Sequence, residues 1–185
     1  MNEKISIPII LGTAREGNKS QRVARYLLKK IQEDSDIECV LVKAGEEKEY
    51  RTIAPWQLKD SQPYWHDTFA RANAFIIVSP EYNHGYPGEL KILLDSMYDE
   101  YAHKPFGICG VSSGSFGGVR VIEQLNQVVI ALKGVPLPTN LFFSNVDDLF
   151  DEEDTVKDRA YEDRVDKFIS ELKWFSSTLK GAQNI

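Results

Sequence analysis

The chain has 185 residues, enough for one domain with a proper core. Hydrophobic residues make up 42% and charged residues 27%, an ordinary globular balance, and the net charge of -6 (28 acidic against 22 basic side chains) argues against a general nucleic-acid binder. Met1 runs without a basic leader into an apolar stretch, Ile5–Leu11, that is too short to span a bilayer, and no longer apolar run follows; the expected compartment is the cytosol, with no membrane partner.

Short β-branched runs alternate with longer helical ones. Ile5–Leu11 reads as a buried strand. Ser20–Ile31 reads as a helix with Val23, Ala24, Leu27, Leu28 and Ile31 on one face, and Ile37–Lys43 as a second strand. Ala44–Gln62 is charged and irregular, and Pro63–Ala72 predicts a short helix. Ala74–Ser79 is a third strand, followed by a Pro/Gly-rich loop and a helix from about Glu89 to Tyr98. Phe106–Val111 is a fourth strand. A helix over Gly117–Lys133 follows, with Ile122, Leu125, Val129 and Leu132 inward, and then a short fifth strand at Leu141–Phe143. The acidic stretch Asp147–Asp166 reads as a solvated loop leading into the last helix, Asp158–Leu179, which carries Tyr161, Val165, Phe168, Ile169, Leu172 and Phe175 at helical spacing.

This alternation predicts a single α/β domain, residues 1–185, with a parallel sheet and helices on both faces. Right-handed crossovers leave few topologies, and five strands suit the flavodoxin-like doubly wound order 2-1-3-4-5, with a ligand crevice at the carboxyl ends of strands 1, 3 and 4. Cys39 and Cys109 then lie three strands apart; at ~4.8 Å per strand that is too far for a disulfide. Neither sits in a CxxC pair or a histidine cluster, so no metal site is expected and both read as buried apolar-like residues.

The three loops at that crevice are the most distinctive segments. The first, Gly12–Gln21, joins a strand to a helix N-terminus, where free N–H groups and the helix dipole favour an anion. Thr13, Asn18 and Ser20 offer hydrogen bonds and Arg15 a charged fork, with Ser20 the expected N-cap. The loop is neither a Gly-Lys-Ser/Thr phosphate loop nor GxGxxG. The second, Ser79–Gly88, holds two prolines and two glycines and presents backbone groups at fixed positions, as the polar edge of a flat heterocycle requires. Glu81 and His84 are read as loop residues rather than an acid/base pair. The third, Gly110–Gly118, has small residues that let a ligand approach the backbone. Gly110–Gly114 also matches the G-x-S-x-G nucleophile elbow, but His66, His84 and His103 all precede Ser112, the wrong order for an α/β-hydrolase.

On these residues the chain resembles the NADPH-dependent FMN reductase family. The carriers are Gly12-Thr13-Ala14-Arg15, Ser79-Pro80-Glu81-Tyr82-Asn83 with Pro87-Gly88, and Ser112-Ser113 with Gly117-Gly118-Val119-Arg120, collinear from Ile5 to Asn145. The resemblance implies a flavodoxin-like fold and FMN as cofactor, with hydride passing from NADPH or NADH to the flavin and on to a small acceptor: flavin, quinone, azo compound or metal oxyanion. It implies that Thr13, Arg15, Asn18, Ser20 and Gln21 hold the FMN phosphate, that Pro80, Glu81, Tyr82 and Asn83 meet the isoalloxazine ring, and that Ser112, Ser113 and Gly114 contact its far edge. It assigns no general acid or base, and implies a homodimer or homotetramer. Two departures stand out: Thr13 replaces the usual serine, and Val42-Lys43-Ala44-Gly45-Glu46-Glu47-Lys48 replaces an Asp-Leu stretch ending in Leu-Pro. Alternative readings are a flavodoxin-like electron carrier and a non-catalytic flavin-binding protein. Trp56 and Trp65 read as packing or interface residues, and Trp174 as lying at a helix edge.

Overall fold

The computed structural model describes residues 4–46, 54–57 and 64–182. These form β1 (Ile5–Ser6), β2 (Ile9–Leu11), α1 (Ser20–Gln32), β3 (Ile37–Glu38), β4 (Leu41–Lys43), α2 (His66–Arg71), β5 (Phe75–Pro80), α3 (Gly88–Asp95), β6 (Pro105–Val111), α4 (Val119–Ala131), β7 (Val135–Pro136), β8 (Leu141–Phe143), α5 (Val146–Leu149) and α6 (Arg159–Leu179). Of the irregular segment Ala44–Gln62, residues 47–53 and 58–62 lie outside the described residues, as does Pro63 at the start of the expected short helix. Glu47 and Lys48 of the departing segment are among them.

The fold is α/β with parallel pairing between its strands. The arrangement differs from the five continuous strands expected in the order 2-1-3-4-5. The main sheet runs β4-β2-β5-β6-β7, with β8 also on β6, and β1 pairs with β3 in a separate two-stranded piece. The expected first strand is interrupted between Ser6 and Ile9, around Pro8, although Ile7 N still donates to Glu38 O and Ile9 N to Val40 O across the gap. Its neighbour breaks alongside it, between Glu38 and Leu41. At the far edge, Pro136 and Pro138 divide the outer position into β7, which pairs with the start of β6, and β8, which pairs with its end.

Alternation along the strands sorts side chains into two cores. Ile76 and Val78 of β5 face α1 and α6, packing with Val23, Leu27, Val165, Phe168 and Leu172. Phe75 and Ile77 face α2, α3 and α4, packing with Phe69, Leu90, Leu94, Ile122 and Leu125. The last helix sits tight on the sheet because Gly107 leaves room for it: a Cβ there would lie 2.2 Å from Phe168 Cζ. On the other face Phe75 stacks on Phe106 at 4.7 Å, with Phe69 and Tyr101 edge-on or tilted beside them.

Helix ends show where local chemistry decides. Ser20 is the first residue of α1 rather than its N-cap; Lys19 holds that position, and the Asn18 side chain takes the capping bond, its Oδ1 accepting from Gln21 N at 3.0 Å. Gly117 and Gly118 both have positive φ, so α4 starts at Val119. Asp158 caps α6 by accepting from Ala160 N. Cys39 and Cys109 are free and buried, and burial pushes the Cys39 thiol up to about 12 and the Cys109 thiol up as well. Trp65 packs in the core and donates to Ser96 Oγ, whereas Trp56 and Trp174 are exposed. No described helix is long and apolar enough to cross a membrane.

Candidate functional site

The loops leaving β2, β5 and β6 meet in a cleft of about 390 Å³ at the carboxyl ends of those strands. The first loop contributes Arg15, Gly17, Asn18, Lys19 and Ser20; the second Pro80, Glu81 and Tyr82; the third Val111, Ser112 and Ser113; Val146 of α5 completes the wall. Of the residues singled out in the sequence, Arg15, Asn18, Ser20, Pro80, Glu81, Tyr82, Ser112 and Ser113 line this one cleft. Thr13, Gln21, Asn83 and Gly114 do not line the cleft.

Each of those four has a visible reason. Thr13 is buried under the loop, its hydroxyl donating to Glu89 Oε1 at 3.0 Å and accepting from Arg15 N at 3.2 Å. Gln21 N–H is taken by the Asn18 cap. Asn83 stands with His84 at the tip of a two-residue hairpin, closed by reciprocal bonds between Tyr82 and Gly85 of 2.9 and 3.0 Å. Both tip residues have positive φ (51° and 66°), the geometry of a type I′ turn. Gly114 sits in open space past the end of β6.

Four helices begin around this crevice, α1, α3, α4 and the four-residue α5, whose first turn holds Asp147 and Asp148, and the chain treats their N-termini differently. At α4, the Glu81 carboxylate accepts from Arg120 N at 3.0 Å, Val121 N at 3.4 Å and Arg120 Nη1 at 3.1 Å. At α3, Glu89 stands in the first turn and reaches across to Ala14 N and Thr13 Oγ1. Burial alone would raise the Glu89 carboxyl; bonds from the Ala14 and Glu89 N–H groups and the Thr13 hydroxyl, with Arg15 nearby, hold it below the usual carboxylate range. At α1 there is no acidic residue in the first turn, and the cap is the neutral Asn18 amide.

Cations complete the picture at α1. Arg15 lays its guanidinium 3.7 Å over the Tyr82 ring, tying the first loop to the second. Lys19 pairs with Asp147 at 2.8 Å, and Lys19 together with the Ser113 hydroxyl holds the Asp147 carboxyl below its ordinary value. The third loop is packed hard against β6: a Cβ on Gly110 would lie 2.3 Å from Gly117 O, so glycine is required for the chain to fold back there. Ser112 is spent on that fold. Its Oγ donates to Gly114 O at 2.7 Å and accepts from Gly117 N at 2.9 Å, which removes it as a nucleophile. Among the described residues no group of three or more His, Cys, Asp or Glu side chains is placed to hold a metal.

Lys19, Val146 and Glu89 were not singled out from the sequence. Lys19 carried a signal, a cation one residue before a helix start. Glu89 carried a weaker one, an acid in a first turn. Val146 carried none beyond its apolar side chain.

The fold and cleft define a parallel α/β protein with a cleft at the carboxyl ends of its central strands, walled by the start of α1 and the loops after β5 and β6. The family model described as NADPH-dependent FMN reductase matches residues 5–148, and the chain belongs to that family. An NAD(P)H-dependent FMN reductase from Schizosaccharomyces pombe is 43% identical over 75 residues, a match spanning 40% of this chain and 36% of that protein. An FMN-dependent NADPH-azoreductase from Staphylococcus saprophyticus is 28% identical over 177 residues, spanning 87% of this chain and 93% of that one. Among solved structures, the flavoenzyme NAD(P)H:(acceptor) oxidoreductase FerB from Paracoccus denitrificans shares the fold with a TM-score of 0.77 at 19% identity, over 94% of this chain and 98% of its own.

Proposed function

We propose that the cleft holds FMN and that the chain, as one domain, is an FMN-dependent NAD(P)H oxidoreductase that reduces a small acceptor such as a flavin, quinone, azo compound or metal oxyanion. One observation supports the placement: of the helix N-termini around the crevice, α1 alone has neither an acidic residue in its first turn nor a carboxylate accepting from its N–H groups, so it is the end left for an external phosphate, with the nearby Asp147 carboxylate taken by Lys19. Arg15, Asn18, Lys19 and Ser20 supply donors at that end. Pro80, Tyr82 and Val111 supply apolar wall where a ring would lie. We also propose that the interrupted segments act as single strands, a reading under which the order would be the flavodoxin-like 2-1-3-4-5 with this cleft at the topological switch.

Bound there, FMN supplies the two-electron chemistry between nicotinamide and acceptor. The protein's own part is orientation. The Pro80–Tyr82 segment ends a fully buried strand and is anchored through Glu81 to α4, so the wall beside the ring is rigid. Glu81 is engaged with α4 and Ser112 with its own loop, which leaves neither as a general acid or base. We further assign the chain to the cytosol and to a homodimer or homotetramer; Phe116 and Phe142, exposed on the third loop and on β8, are the surface for the second copy.

Flavin-free protein titrated with FMN and with riboflavin, by quenching of flavin fluorescence, tests the reading. FMN is expected to bind more tightly than riboflavin, and Arg15→Ala to erase most of that preference. Anaerobic NADPH or NADH is then expected to bleach the bound flavin bands. Equal affinity for the two flavins, or an unaffected Arg15→Ala variant, refutes the phosphate placement; bound flavin that neither nicotinamide bleaches favours an electron carrier.

A further inference from the structure

We propose that Glu89 is a positioning residue for the flavin cleft, fastening the phosphate loop to the ring loop through Thr13; the role rests on the FMN reading of the cleft. The argument is one of proton accounting. A threonine hydroxyl has one proton and two lone pairs. The Glu89 carboxylate can only accept, so the Thr13 proton goes to Glu89 Oε1, 3.0 Å away. Tyr82 Oη lies 3.2 Å from Thr13 Oγ1, and with the threonine proton already committed it is the tyrosine that donates. Arg15 N donates to the same oxygen at 3.2 Å. Thr13 Oγ1 is then fully used and has no proton for a phosphate.

Thr13 is therefore a relay, and Glu89 sets its direction. One carboxylate oxygen, Oε1, takes both the Thr13 hydroxyl and the Ala14 N–H at 3.0 Å, which fixes the first turn of the loop. Through Thr13 it also fixes the donor role of Tyr82, the residue on which Arg15 stacks. Five residues from the first loop, the second loop and α3, namely Thr13, Ala14, Arg15, Tyr82 and Glu89, thus form one connected cluster at the cleft. Charge-assisted bonds of this kind are stronger than neutral ones, and a cluster with every member satisfied is rigid. Glu89 acts on flavin only through Thr13, Ala14, Arg15 and Tyr82.

The test uses Glu89→Ala, Glu89→Gln and Thr13→Val in flavin-free protein, with two readouts. The first is amide hydrogen exchange at Ala14. Protection is expected in the wild type, lost in Glu89→Ala and retained in Glu89→Gln, whose amide oxygen still accepts from both donors. The second is FMN affinity: about tenfold weaker for Glu89→Ala, the scale of one lost hydrogen bond to a charged group, and restored by Glu89→Gln to within about threefold of wild type. Thr13→Val keeps the Ala14 bond but cuts the relay, so Ala14 stays protected while FMN affinity falls. That variant decides the matter should Glu89→Ala fail to fold. Ala14 protection surviving in Glu89→Ala, FMN affinity unchanged in Glu89→Ala and Thr13→Val, or no rescue by Glu89→Gln overturns the proposal. A wild type that binds no FMN overturns instead the cofactor reading beneath it, and the Ala14 exchange separates that failure from failure of the clamp.

Discussion

Removing the Glu81 carboxylate should unlatch the second loop from α4. Its side chain is 12% exposed and accepts from two first-turn N–H groups of α4 as well as the Arg120 guanidinium. The guanidinium is the weaker partner, since the Arg120 side chain is 47% exposed and solvent screens such pairs to about 0–1 kcal/mol. The N–H bonds carry more: a hydrogen bond to a charged acceptor contributes about 1.5–3 kcal/mol, and favourable charge at a helix end adds about 0.3–1 kcal/mol. Glu81→Ala is therefore expected to cost about 2–3 kcal/mol. At roughly 2–4 °C per kcal/mol for a chain of this size, that is a fall in Tm of roughly 4–12 °C. Thermal unfolding of flavin-free protein by circular dichroism measures it. Glu81→Gln, which keeps an acceptor without the charge, should recover about half. Millimolar sulfate should stabilise Glu81→Ala more than wild type, because the vacated helix end accepts an anion. A Glu81→Ala midpoint within about 1 °C of wild type, or equal response to sulfate, refutes the latch.

Other consequences follow from buried polar groups. The Tyr101 hydroxyl is buried with no hydrogen-bond partner among the described residues, so Tyr101→Phe should be neutral or raise stability by about 1 kcal/mol in urea titration; a loss of that size would mean the hydroxyl has a partner. Lys104 is buried and donates to Phe69 O and Ala70 O at the end of α2, at 3.0 and 3.1 Å, and burial lowers its pKa to about 8. An unfolded lysine titrates near about 10.4, so between these values the folded state binds fewer protons than the unfolded one, and stability rises with pH across that window. Wild type should therefore gain stability relative to Lys104→Met between pH ~8 and ~10, and a flat or falling difference contradicts the assignment.

Much of the fold was legible because buried parallel strands leave an unusually clear trace. Phe75–Pro80 and Pro105–Val111 are buried at every position, and both are apolar runs with turn chemistry at the end. What was not legible is how an edge is assembled. Val135–Pro136 is too short for periodicity to reveal, and it pairs only because β6 extends far enough to meet it. The breaks near Pro8 and Pro138 were visible in principle, since proline withholds a donor, but a missing donor does not say whether the strand ends or merely skips a bond.

The site was legible at the level of loops and not of side-chain direction. Gly, Pro and Asn mark where the backbone turns, and those marks are local. Which way the Thr13 hydroxyl points depends on Glu89, 76 positions away, and what the Glu81 carboxylate does depends on α4, 39 to 40 positions away. Ser20 and Asn18 show the same limit at short range: either could serve the start of α1, and the loop's path through Lys19 decided for Asn18.

These carboxylates also bear on how a chain of net charge -6 could present the anion site proposed above. A crevice with several open helix ends would offer a phosphate competing positions, each turning an attached ring differently. Glu81 fills the end of α4, and Glu89, in the first turn of α3, ties that helix to the first loop. The attraction that remains is concentrated at α1, where Arg15 and Lys19 stand and the far end of the helix carries Lys29 and Lys30 to complement its dipole. Acidic residues inside the crevice are thus not opposed to anion binding. On the FMN placement proposed above, closing the other ends would leave a single register, with the phosphate at α1 and the flavin ring along Tyr82 and Pro80 toward Ser112 and Ser113.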